Sequence, residues 1–233
     1  HPNQCGPLGG VLIESMLSCA GQIPLPSGYL PTLAKEIRDK GGLLIADEVQ
    51  VGFGRTGSNM WEFQDSEVIP DIVVMGKPMG NGHPMAAVFT TNAIASSFGG
   101  MEFFSTFGGN PVSCAIGMAV LDVIEEEELV TKARLLGARM ISGLESLKDD
   151  YELIGDIRGK GLFLGMELVR NRATLEPAPR EATMLVDNMR EVGVLLSTDG
   201  PLHNVIKIKP PMVLIEDDID ETLSKLDFCL ASL

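Results

Sequence analysis

Four short apolar segments in the first half of the chain constrain its fold more than any other feature. They have the length of buried strands and comprise residues 10–14, 43–46, 72–75 and 86–90. Between the first two, the segment from Tyr29 to Lys40 has apolar residues at helical spacing and stops at Gly41 and Gly42. Strands that alternate with helices are typical of a parallel sheet covered by helices. We therefore predict a parallel-type α/β layer in this half of the chain.

The second half of the chain has a different pattern. Asn110 and Pro111 predict a helix start, because Asn is a good N-cap and Pro fits the first helical position. The acidic run at 125–128 interrupts the helical periodicity, and we place a domain boundary there. Residues 1–125 then belong to a larger domain and residues 126–233 to a small α+β domain. In the small domain we predict strands at 162–169, near Val194 and near Ile206, with helices to about 147, at 181–192 and from 216.

Charge and cysteine usage exclude several classes of partner. The formal charge is −14, with 32 acidic against 18 basic residues, so the chain repels nucleic acid and anionic membranes. We expect neither as a partner. Cys5, Cys19, Cys114 and Cys229 lack the spacing of a metal site, and we interpret three of them, which lie among apolar or small residues, as reduced, buried thiols of a reducing compartment. No metal is predicted.

Lys77 and Asp47 are the candidate catalytic residues. Lys77 follows the apolar strand at 72–75 and begins a glycine-broken loop, and Asp47 ends the strand that starts at Leu43. Open α/β sheets bind ligands at the carboxyl edge of their strands. An amine and a carboxylate at this edge suit pyridoxal phosphate, with the lysine as Schiff base and the acid at the pyridine nitrogen. Spacing alone also fits a solvated lysine and a turn-forming aspartate.

Three longer motifs resemble one known family. The segments 45–57 (IADEVQVGFGRTG), 75–84 (MGKPMGNGHP) and 104–111 (FSTFGGNP) closely resemble the signature of the class III (omega) aminotransferases, in the same order. The resemblance implies the fold-type I architecture of pyridoxal-phosphate enzymes, with a large, mainly parallel sheet domain and a small carboxyl-terminal domain. Family members are about twice as long. We therefore expect residues 1–125 to be the second part of the cofactor-binding domain.

The resemblance also implies roles for individual residues. Lys77 and Asp47 would bind pyridoxal 5′-phosphate, Gln50 would hydrogen-bond its ring hydroxyl, and Val49 would pack on the ring face. Plain core packing is the alternative for Val49. Thr106 would reach the cofactor phosphate of a neighbouring subunit, which implies a homodimer with shared active sites. The structural alternative for Thr106 is a turn residue.

Two departures from the family pattern narrow the reaction. Lys207 stands where many members place an arginine that grips an α-carboxylate as a bidentate pair, and a lysine is only a point charge. Cys19 stands where several members carry a glutamate that covers this arginine. These stretches resemble the subgroup of phospho-lyases that act on ethanolamine phosphate or phosphohydroxylysine. Lys207 is then a candidate phosphate binder.

The expected function is therefore that of a pyridoxal-phosphate enzyme acting on a small primary amine through an external aldimine. A phospho-lyase that releases phosphate and ammonia is the first hypothesis, and a conventional aminotransferase is the second. A third is that the half-chain serves only as an assembly module, since we expect it to be inactive alone. We expect a cytoplasmic or mitochondrial-matrix enzyme, although a targeting segment is not observable in this sequence.

Overall fold

The computed structural model describes residues 8–100 and 102–233, so Cys5 lies outside the described residues. The strands are β1 (Gly10–Glu14), β2 (Met16–Leu17), β3 (Ile23–Pro24), β4 (Leu43–Asp47), β5 (Ile72–Met75), β6 (Ala87–Thr90), β7 (Ile154–Lys160), β8 (Phe163–Asn171), β9 (Glu176–Pro177), β10 (Ser197–Asp199) and β11 (Val205–Ile208). The α-helices are α1 (Tyr29–Asp39), α2 (Asn92–Phe98), α3 (Pro111–Glu126), α4 (Leu129–Asp150), α5 (Pro179–Glu191) and α6 (Glu216–Leu230). Short 3₁₀ helices occupy Glu62–Ser66 and Lys77–Gly80.

The described residues form two compact units. The first contains the residues up to Ser15 together with Leu25–Gly54 and Asn59–Glu128. The second contains Leu129–Leu233 and two short segments from the first half of the sequence, Met16–Pro24 and Arg55–Ser58. The sequence pattern gave no sign of these two segments. A domain boundary near residue 125 remains a prediction for the whole enzyme.

The first unit is built on a sheet of order β1-β4-β5-β6. The three strands β1, β4 and β5 are parallel, as predicted. Strand β6 instead runs antiparallel to β5, with Met75 opposite Ala87. The connection between them, residues 76–86, contains only the short 3₁₀ helix Lys77–Gly80 and no α-helix that could form a parallel crossover. Helix α1 covers the sheet by burying Leu30, Ala34 and Ile37.

The second unit is an α+β layer with antiparallel strands in the order β10-β11-β8-β7, and β9 pairs with β8. Its core lies between this sheet and helices α4, α5 and α6, which bury residues such as Met140, Leu185 and Leu226. The strand predicted near Val194 lies instead at Ser197–Asp199, and Val194 precedes it in an irregular segment. Strand β7 was not predicted, because its glycines and charged residues hide the alternation of a strand.

Three further properties of the described ranges concern membrane spans, potential metal ligands and thiols. No α-helix of residues 8–100 and 102–233 has both the length and the apolar character of a membrane span. No group of three potential metal ligands occurs in the same part of the chain. Cys19, Cys114 and Cys229 are free thiols, and of these three only Cys229 is buried, so the expectation of three buried thiols was wrong. Cys114 lies on a helix, α3, whose surface is mostly exposed in this chain.

Candidate active site

Asp47 is held at the carboxyl edge of the parallel strands in the first unit. It is the last residue of β4, flanked by Glu14 on β1 and Val74 on β5. The backbone N–H of Val49 donates to Asp47 Oδ1 over 2.9 Å. The turn after β4 places this N–H group over the half-buried carboxylate of Asp47. The hydrogen bond therefore fixes the orientation of the carboxylate.

Lys77 leaves the same edge of the sheet from the neighbouring strand. Strand β5 passes Asp47 at Val74, ends at Met75, and reaches Lys77 two residues later. Lys77 has a backbone φ of 32°, a left-handed conformation that costs a non-glycine residue about 1 kcal/mol or more. Its side chain is exposed and makes no hydrogen bond or ion pair with any other residue that the structure describes. The strain and the unengaged amine are both typical of a functional position.

Val49 and Gln50 lie in the turn that follows Asp47 at the end of β4. A Cβ atom added to Gly76 would lie 3.7 Å from Val49 Cγ1, so the valine side chain packs beside the residue that precedes Lys77. Both Val49 and Gln50 are half-buried. The structure therefore brings Asp47, Val49 and the start of the Lys77 loop together.

Thr106 is not brought to this group. It lies in the irregular segment before α3, where it is exposed. In the described part of the chain it has no hydrogen bond to Lys77 or to Asp47. The segment is ordered instead by its own residues: Ser105 Oγ accepts the Gly108 N–H at 3.0 Å, and Asn110 Oδ1 caps α3 by accepting the Ser113 N–H at 2.9 Å.

Sequence reasoning missed the contact that joins the lysine loop to α3. His83 Nε2 lies 2.7 Å from Ser113 Oγ, which also accepts from Asn110 Nδ2 at 2.8 Å. The helix also approaches the loop closely at Gly117, where an added Cβ would lie 2.8 Å from Met85 Cε. A histidine in a glycine-rich loop and a serine at a helix start are both visible in the sequence, but nothing in it pairs them.

Glu48 was also missed. Asp47 and Glu48 are consecutive, so their side chains leave the chain on opposite sides. The Glu48 side chain is fully buried and accepts from Ser15 Oγ at 2.6 Å and from the backbone N–H groups of Glu62 and Phe63 at 3.0 Å. Burial raises the pKa of Glu48, and these three hydrogen bonds oppose the shift. Glu48 thus anchors the Glu62–Ser66 helix next to the strand that ends at Asp47.

The second unit contains a separate group of charged residues around Lys207. Lys207 Nζ lies 3.2 Å from Asp199 Oδ2 and 3.3 Å from Asp199 Oδ1. The side chains of Lys207 and Asp199 are 29% and 14% exposed. Gln22 Nε2 donates to Asp199 Oδ2 over 2.7 Å. The predicted phosphate binder is therefore already paired with a carboxylate in this structure.

Two more cations accompany Lys207 in the second unit. Arg55 donates from Nη1 to Leu162 O at 3.1 Å and to Pro210 O at 2.8 Å, and burial lowers its pKa. Lys209 Nζ lies 4.3 Å from the centroid of the Phe163 ring. Burial, and secondly the charge of Lys207, lower the pKa of Lys209 to about 8. Arg55 thus has a structural role here, binding two backbone carbonyls of its own unit.

Comparison with known proteins agrees with the motifs. The family model for aminotransferase class III matches residues 4–230. An alanine–glyoxylate aminotransferase 2-like protein of Drosophila melanogaster is 50% identical over 225 residues, which cover 95% of this chain and 46% of the relative. An ethanolamine-phosphate phospho-lyase homologue of Caenorhabditis elegans is 44% identical over 228 residues, covering 96% and 49%.

A solved structure also matches. It is a phospholyase from Arthrobacter in complex with phosphoethanolamine, with a TM-score of 0.92 and 46% identity over 95% of this chain and 53% of that one. The chain spans about half the length of the curated relatives it matches. The chain therefore belongs to the class III aminotransferases, a family of pyridoxal 5′-phosphate-dependent enzymes.

Proposed function

We propose that the enzyme to which this chain belongs is a phospho-lyase that releases phosphate and ammonia from a small phosphorylated primary amine. The observation that carries the proposal is the ammonium group of Lys207, which lies beside Asp199. An arginine at the position of Lys207 could bind a substrate carboxylate as a bidentate pair, and a lysine cannot. A point charge without fork geometry suits phosphate at least as well as carboxylate. The relative named as a phospho-lyase homologue and the phospholyase bound to phosphoethanolamine support this choice.

The residues of the first unit fit the family cofactor. Lys77 offers an exposed amine at the end of a strand, and Asp47 offers a carboxylate that the Val49 N–H already orients. In the proposal Lys77 and Asp47 bind pyridoxal phosphate, Val49 packs on its ring, and Gln50 bonds the ring hydroxyl. When bound, the cofactor supplies an electron sink for the bond electrons at the substrate Cα.

Lys77 and Asp47 then have distinct tasks. The Lys77 amine accepts the proton from the substrate Cα, acting as the general base. The Asp47 carboxylate holds a proton on the pyridine nitrogen by its negative charge. Phosphate leaves from the carbon next to Cα and takes the electron pair of the C–O bond. The unsaturated amine that remains reacts with water to give an aldehyde and ammonia.

Thr106 is proposed to bind the cofactor of a partner subunit rather than that of its own chain. Its hydroxyl is exposed and lacks any hydrogen bond to Lys77 or Asp47 among the described residues. The neighbouring side chains of Phe104 and Phe107 are 85% and 83% exposed, which is unusual for large aromatic residues and fits a segment covered by another part of the enzyme. We assign it to a homodimer in which Thr106 binds the cofactor phosphate of the neighbouring subunit.

The second candidate is a conventional aminotransferase. The Drosophila relative, named as an aminotransferase 2-like protein, favours it. Such an enzyme would transfer the amino group to a keto acid, so it would need a second substrate in every cycle. For either candidate, we propose that the enzyme acts in the cytoplasm or in the mitochondrial matrix.

Product stoichiometry separates the two candidates. The full-length holoenzyme is incubated with phosphoethanolamine, and in a parallel series with phosphohydroxylysine, in the absence of any keto acid. The phospho-lyase releases phosphate, ammonia and aldehyde in equal amounts over many turnovers. Turnover that appears only after a keto acid is added, with no phosphate released, would reject the proposal in favour of an aminotransferase.

A further inference from the structure

The charged group of the second unit lies on two paired strands. Strands β10 and β11 run antiparallel, with Ser197 opposite Lys207 and Asp199 opposite Val205. Asp199 is therefore a diagonal neighbour of Lys207 on the same face of the sheet, within reach of a long side chain. Lys209 follows Lys207 by two residues, so its side chain leaves the chain on the same side. The pairing brings one carboxylate and two lysines to one face.

Asp199 is the fixed member of this group. Gln22 is fully buried, and its Nε2 is directed at two acceptors, Asp199 Oδ2 at 2.7 Å and Ser18 O at 2.9 Å. The amide nitrogen must face them, because both are acceptors only. Lys207 is the adjustable member, because its flexible four-carbon stem is 29% exposed and its ammonium has no fixed geometry. A ligand that reaches this face can draw Lys207 away while Asp199 stays in place.

Lys209 lies among several charged groups of the second unit. Burial has the largest effect on its pKa, and the charges of Lys207, Asp199 and Arg55 act on it as well. Lys209 therefore belongs to the same charged group as Lys207 and Asp199. A cavity of about 730 Å³ adjoins Ser197 and both lysines, and its lining also includes Asp218 and the paired side chains of Lys225 and Glu221. This cavity is large enough to admit a small anion next to Lys207 and Lys209.

We propose that Lys207 and Lys209 together bind the phosphate group of the substrate, and that Asp199 is the resident counter-ion which this phosphate displaces from Lys207. The inference rests on the proposed function and adds two residues to the site. Lys209 binds the phosphate, and Asp199 competes with the phosphate for Lys207. A phosphate dianion brings three acceptor oxygens and enough charge to engage two ammonium groups. Asp199 contributes no attraction of its own.

Opposite effects of two substitutions follow from these roles. Asp199 repels every anion at the site in proportion to the charge of that anion, and it draws Lys207 back when phosphate leaves. Removing its charge must therefore tighten phosphate binding. Removing the charge of Lys209 must weaken it. A residue with a merely structural role would weaken binding when it is changed, so the two signs together identify the arrangement.

The experiment measures inorganic phosphate binding to the full-length holoenzyme, in which the cofactor fills its own phosphate site. Calorimetry and competitive inhibition against phosphoethanolamine give two independent readings. Asp199→Asn keeps an acceptor for Gln22 and should tighten phosphate binding about tenfold, whereas Lys209→Met keeps the apolar stem on Phe163 and should weaken it about tenfold, as expected for one charge-assisted interaction. The effect of Asp199→Asn should be smaller for acetate, which has a single charge.

Two controls show whether the effect passes through Lys207. In a Lys207→Ala background, Asp199→Asn should change phosphate binding less than it does in the wild type, because the competition for Lys207 is gone. Asp220→Asn removes an exposed carboxylate of the same unit, one paired with Arg139, and should leave phosphate binding unchanged. Wild-type phosphate binding should also weaken as the pH rises through about 8, where Lys209 loses its charge, and Lys209→Met should lack this change.

The outcomes separate this inference from the proposed function. If the wild type releases no phosphate from phosphoethanolamine, the proposed function fails and the inference fails with it. If the wild type does release phosphate, but Asp199→Asn weakens phosphate binding or leaves it unchanged, only the inference is overturned. The same holds if Lys209→Met binds phosphate as well as the wild type does. Tighter binding in Asp199→Asn and weaker binding in Lys209→Met support it.

Discussion

His83 and Ser113 join the loop that carries the candidate lysine to the helix that follows the threonine motif, with Nε2 and Oγ 2.7 Å apart. Ser113 is at the same time the residue whose backbone N–H is capped by Asn110. Two motifs separated by some thirty residues in the sequence are thus joined by a side-chain hydrogen bond, in addition to the close approach of Met85 to Gly117. Both contacts hold the Lys77 loop against the helix.

Removing this contact should loosen the lysine loop. His83→Ala and Ser113→Ala should each lower the free energy of unfolding by about 0.5–1.5 kcal/mol, the usual net value of one hydrogen bond. The double variant should lose less than the sum of the two, as a double-mutant cycle in urea would show. Ser97→Ala is a matched control, because among the described residues Ser97 Oγ donates only to carbonyls of its own helix. Additive losses would mean that the two residues do not act together.

Lys77 should be the residue that carries the cofactor. Borohydride reduction of the full-length holoenzyme should place the reduced pyridoxyl group on Lys77, as mapped by mass spectrometry. Lys77→Ala should lose the visible absorbance of the bound cofactor and slow turnover by roughly 10²- to 10⁴-fold, the contribution of a positioned proton-transfer group. Lys35→Ala, which removes an exposed lysine paired with Asp39, should change neither property. An adduct on Lys160 or Lys207 would refute the assignment.

Glu48 should make a large contribution to the stability of the fold. Its carboxylate accepts three hydrogen bonds in a buried site. Glu48→Gln places an amide NH₂ against a donor, so one backbone N–H stays unsatisfied, at a cost of about 1–3 kcal/mol in the free energy of unfolding. Glu36→Gln, at an exposed site paired with Lys40, should cost much less. Equal losses in the two variants would contradict the anchoring role.

Glu48 should contribute to the pH dependence of the free energy of unfolding. Its pKa in the folded protein is raised, chiefly by burial, above the ordinary value of 4.5. Between these two pKa values the folded state binds more protons than the unfolded state, so the contribution of Glu48 to stability falls as pH rises across that window. Glu48→Gln should remove this component from the pH profile of the unfolding free energy. An unchanged profile would show that Glu48 is not the group responsible.

Thr106 should affect cofactor binding without affecting assembly. If its hydroxyl binds the cofactor phosphate of the neighbouring subunit, Thr106→Ala should weaken pyridoxal phosphate binding by about 1–3 kcal/mol. Light scattering should still find a dimer. Thr91→Ala, which removes the cap of the short helix α2, is a control for a general loss of stability in the same unit. A full-length enzyme that is monomeric and fully active would contradict the shared site.

Much of the first unit could be predicted from the sequence because its elements are short and strongly patterned. The strands at 43–47 and 72–75 and the helix at 29–39 agree with the prediction to within a residue or so. The N-cap at Asn110 was confirmed, as was the break between two helices in the acidic run, where Glu128 has a φ of 51°. The local signals of caps and breakers decide these positions.

Long-range partners could not be predicted in the same way. The pairs His83–Ser113 and Lys207–Asp199 depend on how distant segments meet in space, which periodicity does not encode. The antiparallel β6 was missed because strand direction depends on the path of the connecting segment, which the composition of the strand does not encode. The sequence around Cys19 and Lys207 gave no hint that Asp199, on strand β10, would pair with Lys207.

The form of the cofactor after turnover tests the central claim most directly. The full-length holoenzyme is mixed with a large excess of phosphoethanolamine and no keto acid, and the absorbance of the cofactor is followed while phosphate is assayed. We expect phosphate to exceed the enzyme many-fold while the cofactor stays in its aldehyde form. Accumulation of pyridoxamine phosphate equal to the enzyme, without release of phosphate, would show that the enzyme is an aminotransferase and would contradict the account.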